Sequence, residues 1–214
     1  DKESEYDDVL WFACRDICTA KVPNFIRRIA PYAFYQCKKL EIIEFEDKSE
    51  LKLIGTSSFS YSSIQSISIP SQVIHVEKFA FSNCDKLCSI EFSSDSELRS
   101  IEEFAFCESA LEKISLPPHI TQVGECTFSS CERLKKVEFS ENCEIKILDK
   151  SLFSKSSIES LSIPSNIEEF KEDWCREISE LKNIKIYPKK DKNIIYYENT
   201  FILGKSIFKS NIYD

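Results

Sequence analysis

Methionine is absent from this 214-residue chain, glycine occurs three times and histidine twice, and each scarcity removes a class of function. Without Met the translational start is expected to lie outside the sequence, which reads as a processed or excised piece. Gly55, Gly124 and Gly204 are too scattered for a phosphate-cradling glycine loop. His75 and His119 hold unequal places in the pattern described below, so each reads as a lone surface or edge residue and not as a base or a ligand. Basic residues are short too: 28 Lys plus Arg stand against 36 Asp plus Glu, a formal charge of -8. Such a surface repels nucleic acid and anionic lipid, and no nucleic-acid partner is expected. No apolar run nears the roughly 18 residues that span a bilayer, and no basic segment leads into an apolar one at the start. Neither membrane insertion nor a signal peptide is therefore expected. Asp1, Glu3, Glu5, Asp7 and Asp8 open a solvated acidic tail over 1–11.

Cysteine is plentiful, with ten residues, yet no Cys-x2-Cys pair exists. Cys14/Cys18 and Cys84/Cys88 stand four apart with no second pair or His cluster to answer them, so no metal site is expected. A serine nucleophile elbow is missing as well. No catalytic set converges, and the chain is expected to be no enzyme and to need no cofactor. Asn-x-Ser/Thr glycosylation sites are also missing.

Repetition is what the sequence has in abundance. Phe12, Phe34, Phe59, Phe81, Phe106, Phe128 and Phe153 are separated alternately by 22 and 25 residues, a 47-residue super-repeat. A second ladder runs through Leu40-Ile43-Phe45, Ile64-Ile67-Ile69, Leu87-Ile90-Phe92, Leu111-Ile114-Leu116, Leu134-Val137-Phe139, Ile158-Leu161-Ile163 and Leu181-Ile184-Ile186, with a weaker copy at Ile17-Ala20-Val22. A third runs five residues before the Phe, through Ile29, Ile54, Val76, Ile101, Val123 and Leu148.

The last two members of each triplet are two apart, which puts both on one face of an extended strand. Ser66, Ser68 and the following Pro then look outward. Phe81, Cys84 and Leu87 are spaced i, i+3, i+6, which suits a helical or 3₁₀ turn leading back to the sheet. The pattern predicts a right-handed coil over residues 12–190, with about eight strand positions. It places a parallel β-sheet on one face and short helical or irregular turns on the others. Phe34, Phe59, Phe81, Phe106, Phe128 and Phe153 form its core, each coil sheltering the next. Pro70, Pro117 and Pro164 end alternate strands, while Glu46–Glu50, Ser93–Glu97 and Ser140–Glu144 lengthen the other units. Cys37, Cys84 and Cys131 share one slot, filled between them by Ser62, Ser109 and Ser156. Slots two coils apart are separated by roughly 10 Å, too far for a disulfide, so these read as reduced core thiols. Tyr196, Tyr197, Phe201, Ile202 and Leu203 make 191–214 a cap or flanking segment.

The phrase Ile-Pro-x-x-Val-x-x-Val at Ile69–Val76, followed by Phe81, Cys84, Leu87, Ile90 and Phe92, resembles the BspA-like, or Treponema pallidum-type, leucine-rich repeats. Such repeats occur in oral bacteria and in protists such as Trichomonas and Entamoeba. Ala33-Phe34, Ala80-Phe81 and Ala105-Phe106 keep the Ala-Phe pair of that family, without the Gly that commonly stands ahead of it. The resemblance implies a leucine-rich-repeat solenoid and a cell-surface or secreted adhesion protein of a parasite or microbe.

In leucine-rich arrays the sheet face is the usual recognition surface. Its outward rows here are Ile42, Ser66, Ser89, Lys113, Lys136, Ser160 and Asn183, then Glu44, Ser68, Glu91, Ser115, Glu138, Ser162 and Lys185. A third row holds Glu46, Pro70, Ser93, Pro117, Ser140, Pro164 and Tyr187. Glu44, Glu91, Lys113, Lys136, Glu138, Lys185 and Tyr187 are the candidate contacts for a protein or glycan partner. Unpaired cysteines leave an intracellular scaffold in the cytoplasm as the alternative, and the oligomeric state stays open.

Overall fold

The computed structural model describes residues 8–140 and 142–185 in full and the backbone of 186, 194–197, 200–203 and 206–209. Eight four-residue strands recur along it: Thr19–Val22, Ile42–Phe45, Ser66–Ile69, Ser89–Phe92, Lys113–Leu116, Lys136–Phe139, Ser160–Ile163 and Asn183–Ile186. Alternation of apolar residues with polar or charged ones gives strands such as Ser66–Ile69 and Lys113–Leu116 a buried face and a wet one. Between them lie eight two-residue strands, Val9–Leu10, Arg28–Ile29, Leu53–Ile54, His75–Val76, Ser100–Ile101, Gln122–Val123, Ile147–Leu148 and Glu169–Phe170. Every pairing among these sixteen is parallel. The strands Ile194–Tyr197, Thr200–Leu203 and Ser206–Lys209 form a separate antiparallel sheet.

The chain is thus a β-solenoid, and the helical turns expected on its other faces are replaced. The ladder Ile29, Ile54, Val76, Ile101, Val123 and Leu148 supplies the buried residues of the short strands, which build a second parallel sheet. No helix occurs among the described residues. The spacing Phe81, Cys84, Leu87 belongs instead to a turn in which the residues two before and two after each Phe of the core file, and of Cys175 in the last coil, are left-handed. Tyr32 and Gln36, Ser57 and Tyr61, Phe79 and Asn83, Phe104 and Glu108, Cys126 and Ser130, Ser151 and Lys155, Asp173 and Glu177 all have φ between 51° and 61°. Left-handed residues break a right-handed helical run. They also let amides alternate in direction. Tyr35 N–H and Cys37 N–H bond within the turn to Tyr32 O and Phe34 O, at 3.1 Å each. Tyr32, Phe34 and Gln36 donate instead to Thr56, Ser58 and Ser60 of the next coil, at 2.9, 2.6 and 2.9 Å. Coils are therefore hydrogen-bonded to one another around most of their circumference.

These slots cost free energy, since a side chain there adds roughly 1–2 kcal/mol per residue, of which glycine's extra chain entropy cancels part. Glu108 is exposed with φ 57°. Glu108→Gly is expected to raise the unfolding free energy by about 0.5–1 kcal/mol, and Glu108→Val to lower it by about 1–2 kcal/mol. Urea unfolding of the two variants checks this; equal destabilisation by both would contradict the left-handed assignment.

The core is a file of rings. Phe34, Phe59, Phe81, Phe106, Phe128 and Phe153 are buried, and consecutive rings lie near-parallel with centroids 4.9, 5.0, 5.2, 5.8 and 5.8 Å apart. Trp174 closes the file edge-on to Phe153 at 6.3 Å. Phe12 does not join it: the residue is 84 % exposed, because the first coil donates Ala13 N–H to Ala33 O in the register other coils give to the ring residue. Gly55 lets neighbouring coils close up, since a Cβ there would stand 2.5 Å from Ile29 O. The longer units fold their extra residues back, with Ser49, Ser96 and Cys143 buried in equivalent places.

Candidate recognition surface

The long-strand face is where the outward rows gather. In register, Lys113 lies beside Lys136, Ser160 and then Asn183. Glu44 pairs with Lys21, Glu91 with Ser68, Glu138 with Ser115, and Lys185 with Ser162. Tyr187 lies outside the described residues. Lys136 and Glu138 largely neutralise each other, with Nζ 2.7 Å from the carboxylate. The hydrogen bond from Lys136, helped by Ser115 Oγ, holds Glu138 below the usual carboxylate range. Glu91 accepts a longer bond of 3.4 Å from Ser68 Oγ. Glu44 and Lys113 make no ion pair among the described residues.

Two rows depart from the outward reading. Ser162 is buried: its Oγ accepts from Phe139 N–H at 2.7 Å and donates to Phe139 O at 3.2 Å. Only Lys136–Ser160 and Val137–Leu161 pair at that step, so the serine hydroxyl takes over where the main-chain ladder stops. Pro117 and Pro164 are buried as well; near Pro117 the polar insert of the next unit is tied back, Glu144 N–H bonding Ile120 O at 3.1 Å.

The long-strand ladder is interrupted at two of its three 24-residue steps, and at the third, Leu134 to Ile158, it keeps only two paired positions. The long strands form parallel sheets of two, two and four. Breaks fall after Ile42–Phe45 and after Ser89–Phe92, where the triplet heads Leu40 to Ile64 and Leu87 to Leu111 stand 24 apart and not 23. At the first break the face opens into a groove of about 830 Å³, bordered by Ile42, Glu44, Glu46, Ser66, Pro70 and Asp95. Ile42 is 50 % exposed there, an apolar contact set among carboxylates. Glu46 is engaged by Lys21 at 3.4 Å, and serine hydroxyls, Ser93 foremost, hold Asp95 ionised below its ordinary range. Of this lining, the row reading singled out only Glu44 as a contact. The signal for the rest was the single extra residue of the 24-residue step. A second concavity of about 850 Å³, bordered by Gln122, Ile147 and Asn166, lies where the short-strand ladder is interrupted between Val123 and Ile147.

Little else offers chemistry. His75 Nδ1 meets Ser100 Oγ at 2.8 Å and His119 Nδ1 meets Glu144 Oε1 at 3.2 Å, both exposed and in different coils. No group of three or more His, Cys, Asp or Glu able to hold a metal ion occurs among the described residues. The ten cysteines carry free thiols. Cys84 donates to Phe59 O at 3.1 Å and Cys131 to Phe106 O at 3.2 Å.

Comparison with solved structures finds this fold elsewhere. The pneumococcal vaccine antigen PcpA is similar with TM-score 0.52 and 18 % identity, over 79 % of this chain and 62 % of that one. A leucine-rich repeat protein from Eubacterium ventriosum gives TM-score 0.57 and 19 % identity, over 79 % and 49 %. This chain therefore spans less than two thirds of either structure. No protein of curated function matches it. The family model for BspA type leucine rich repeat regions matches residues 9–117 and 99–213, in 6 copies. Hydrogen-bonded parallel coils, a file of buried rings and that match over most of the sequence make this chain a member of the BspA-type leucine-rich-repeat family.

Proposed function

We propose that the chain is a non-enzymatic recognition module that seats a polypeptide partner on its long-strand face. The groove between Ile42–Phe45 and Ser66–Ile69 is the centre of that seat. One observation carries the reading: the ladder opens there, and an isoleucine that would strengthen the core stands half in water beside Glu44. Interfaces concentrate their energy in a few desolvated contacts ringed by polar groups. An apolar side chain flanked by basic ones would bury Ile42 and meet Glu44 and Asp95. A glycan fits less well, because the groove presents strands, serines and carboxylates in place of flat ring faces.

The working site is outside the cell, at a microbial surface, in keeping with the implication of the repeat family and with the description of PcpA as a vaccine antigen. The exposed thiols of Cys14 and Cys18 favour the second reading, an intracellular scaffold, since reducing compartments preserve such groups. Antibody staining of intact against permeabilised cells separates the two. For the groove, a partner isolated on the wild-type protein is titrated against Ile42→Asp/Glu44→Lys. Affinity is expected to fall by roughly tenfold or more while the thermal midpoint holds. Reversal of Glu91, Lys113, Lys136 and Glu138 serves as the comparison: loss there with none in the groove variant would move the seat along the face.

A further inference from the structure

The turn edge of the solenoid carries aromatic side chains that the core does not use. Ten of the fourteen left-handed turn slots hold small, polar or charged residues, among them Ser57, Asn83, Ser130 and Ser151. Tyr32, Tyr61, Phe79 and Phe104 fill the other four with φ of 61°, 60°, 57° and 58°, where bulky side chains are outliers. Burial does not offset that strain, for Tyr32, Tyr61 and Phe79 are 59 %, 39 % and 40 % exposed. Strain kept at part-exposed positions, outside the core, points to a use other than folding.

The rings also meet one another. Tyr35 stands edge-on to Tyr32 at 5.6 Å and to Tyr61 at 6.0 Å, and Phe79 stacks on Phe104 at 5.0 Å with 10° between planes. A cation already sits in this setting: Lys38 Nζ lies 5.4 Å from the Tyr61 ring centroid. The Phe79–Phe104 stack ends at Phe104, whose neighbouring slot holds the small Cys126 and whose N–H is bonded at 2.9 Å by Glu125 O. Glu102, Glu108 and Glu125 make no ion pair among the described residues, whereas Lys78 is held by Glu103 at 3.2 Å. Phe104 thus has unpaired glutamates beside it, at 102 and 108 in its own coil and at 125 in the next.

We infer that this edge is a second binding surface, separate from the long-strand face, which takes arginine side chains of a basic polypeptide. A guanidinium is planar and weakly hydrated, so it continues a ring stack while its charge faces carboxylates; an ammonium does the second and not the first. A neutral sugar would use the rings and leave the carboxylates without a role.

The test uses the full chain and two synthetic homopeptides of equal length, one of arginine and one of lysine, titrated at physiological salt. Overall acidity attracts both alike, so the ratio of affinities is the readout. We expect the arginine peptide to bind about tenfold tighter. In Tyr61→Ser/Phe79→Ser/Phe104→Ser that preference is expected to vanish while the thermal midpoint stays or rises, since serine occupies equivalent slots at 57, 130 and 151. Ile42→Asp/Glu44→Lys is expected to retain it, which separates this edge from the groove. Equal affinities in the wild type, or an unchanged ratio in the triple variant, would overturn the inference. So would a triple variant that melts far below the wild type, which would make the rings structural. Competition by a neutral oligosaccharide that depends on the three rings would assign the edge to glycan and equally overturn it.

Discussion

Replacing Phe106 by alanine is expected to lower the free energy of unfolding by about 3–5 kcal/mol, the range for a fully buried aromatic. Its ring is buried between Phe81 at 5.2 Å and Phe128 at 5.8 Å. Collapse into the gap is opposed by the main chain: Phe106 N–H bonds Thr127 O at 3.1 Å and Phe81 N–H bonds Ala105 O at 2.7 Å, which fixes the distance between coils. Each coil contacts mainly its neighbours, so the loss couples along the stack. Adding Phe128→Ala should give a non-additive result, and adding the distant Phe34→Ala a nearly additive one. Urea unfolding reads both. A loss under about 1 kcal/mol for the single variant would contradict the ring file.

Alkaline pH is expected to unfold the protein through its buried thiols. Burial pushes Cys84, Cys107 and Cys175 up to about 12 and Cys131 and Cys143 up to about 11, from an ordinary value of 9.0. Above pH 9 the unfolded chain gives up protons that the fold retains. Stability is therefore full below the unfolded value and falls as pH rises from 9 toward 12, by about 1.4 kcal/mol per pH unit for each fully buried thiol. Cys84, Cys131 and Cys143 are buried and contribute most; the half-buried Cys107 contributes less through solvent screening. Serine stands in the same slot at Ser62, Ser109 and Ser156, so Cys84→Ser/Cys131→Ser should fold and should flatten the slope. Urea midpoints across that pH range for the two proteins are the measurement, and identical slopes would contradict the assignment.

Much of the fold was legible because a repeated coil writes each structural demand many times. The alternation in Ser66–Ile69 states a strand, and Ile29, Ile54 and Val76 state a buried position in every unit. What was not legible was the form of the turns. A buried residue every third position satisfies a helix and a chain of tight turns equally. The left-handed backbone that decides between them is usually announced by glycine, yet this chain holds such slots with Tyr32, Gln36, Phe79 and Glu108. Local geometry here is imposed by hydrogen bonds to the next coil, against residue preference. The long-strand rows could be read from alternation alone, but Ser162 could not. Its burial follows from a missing pairing that involves Phe139, one coil away. The groove was hidden for a related reason: one extra residue in a 24-residue step is a faint mark on hydrophobic periodicity, and in the fold it goes with strands that pair in part or not at all. As for the aromatic turn edge, Tyr61 and Phe79 look like spare core residues until the backbone turns them outward.

The coils stand or fall together as one stack, and native-state amide hydrogen exchange tests that most directly. The amides of Phe59, Phe81, Phe106 and Phe128, each donated to the next coil, should exchange only through opening of the central stack. Protection is expected to decline gradually toward Val9–Leu10 at one end and Asn183–Ile186 at the other. Rapid exchange at those four amides, with slow exchange confined to the isolated strands, would show that the coils do not shelter one another.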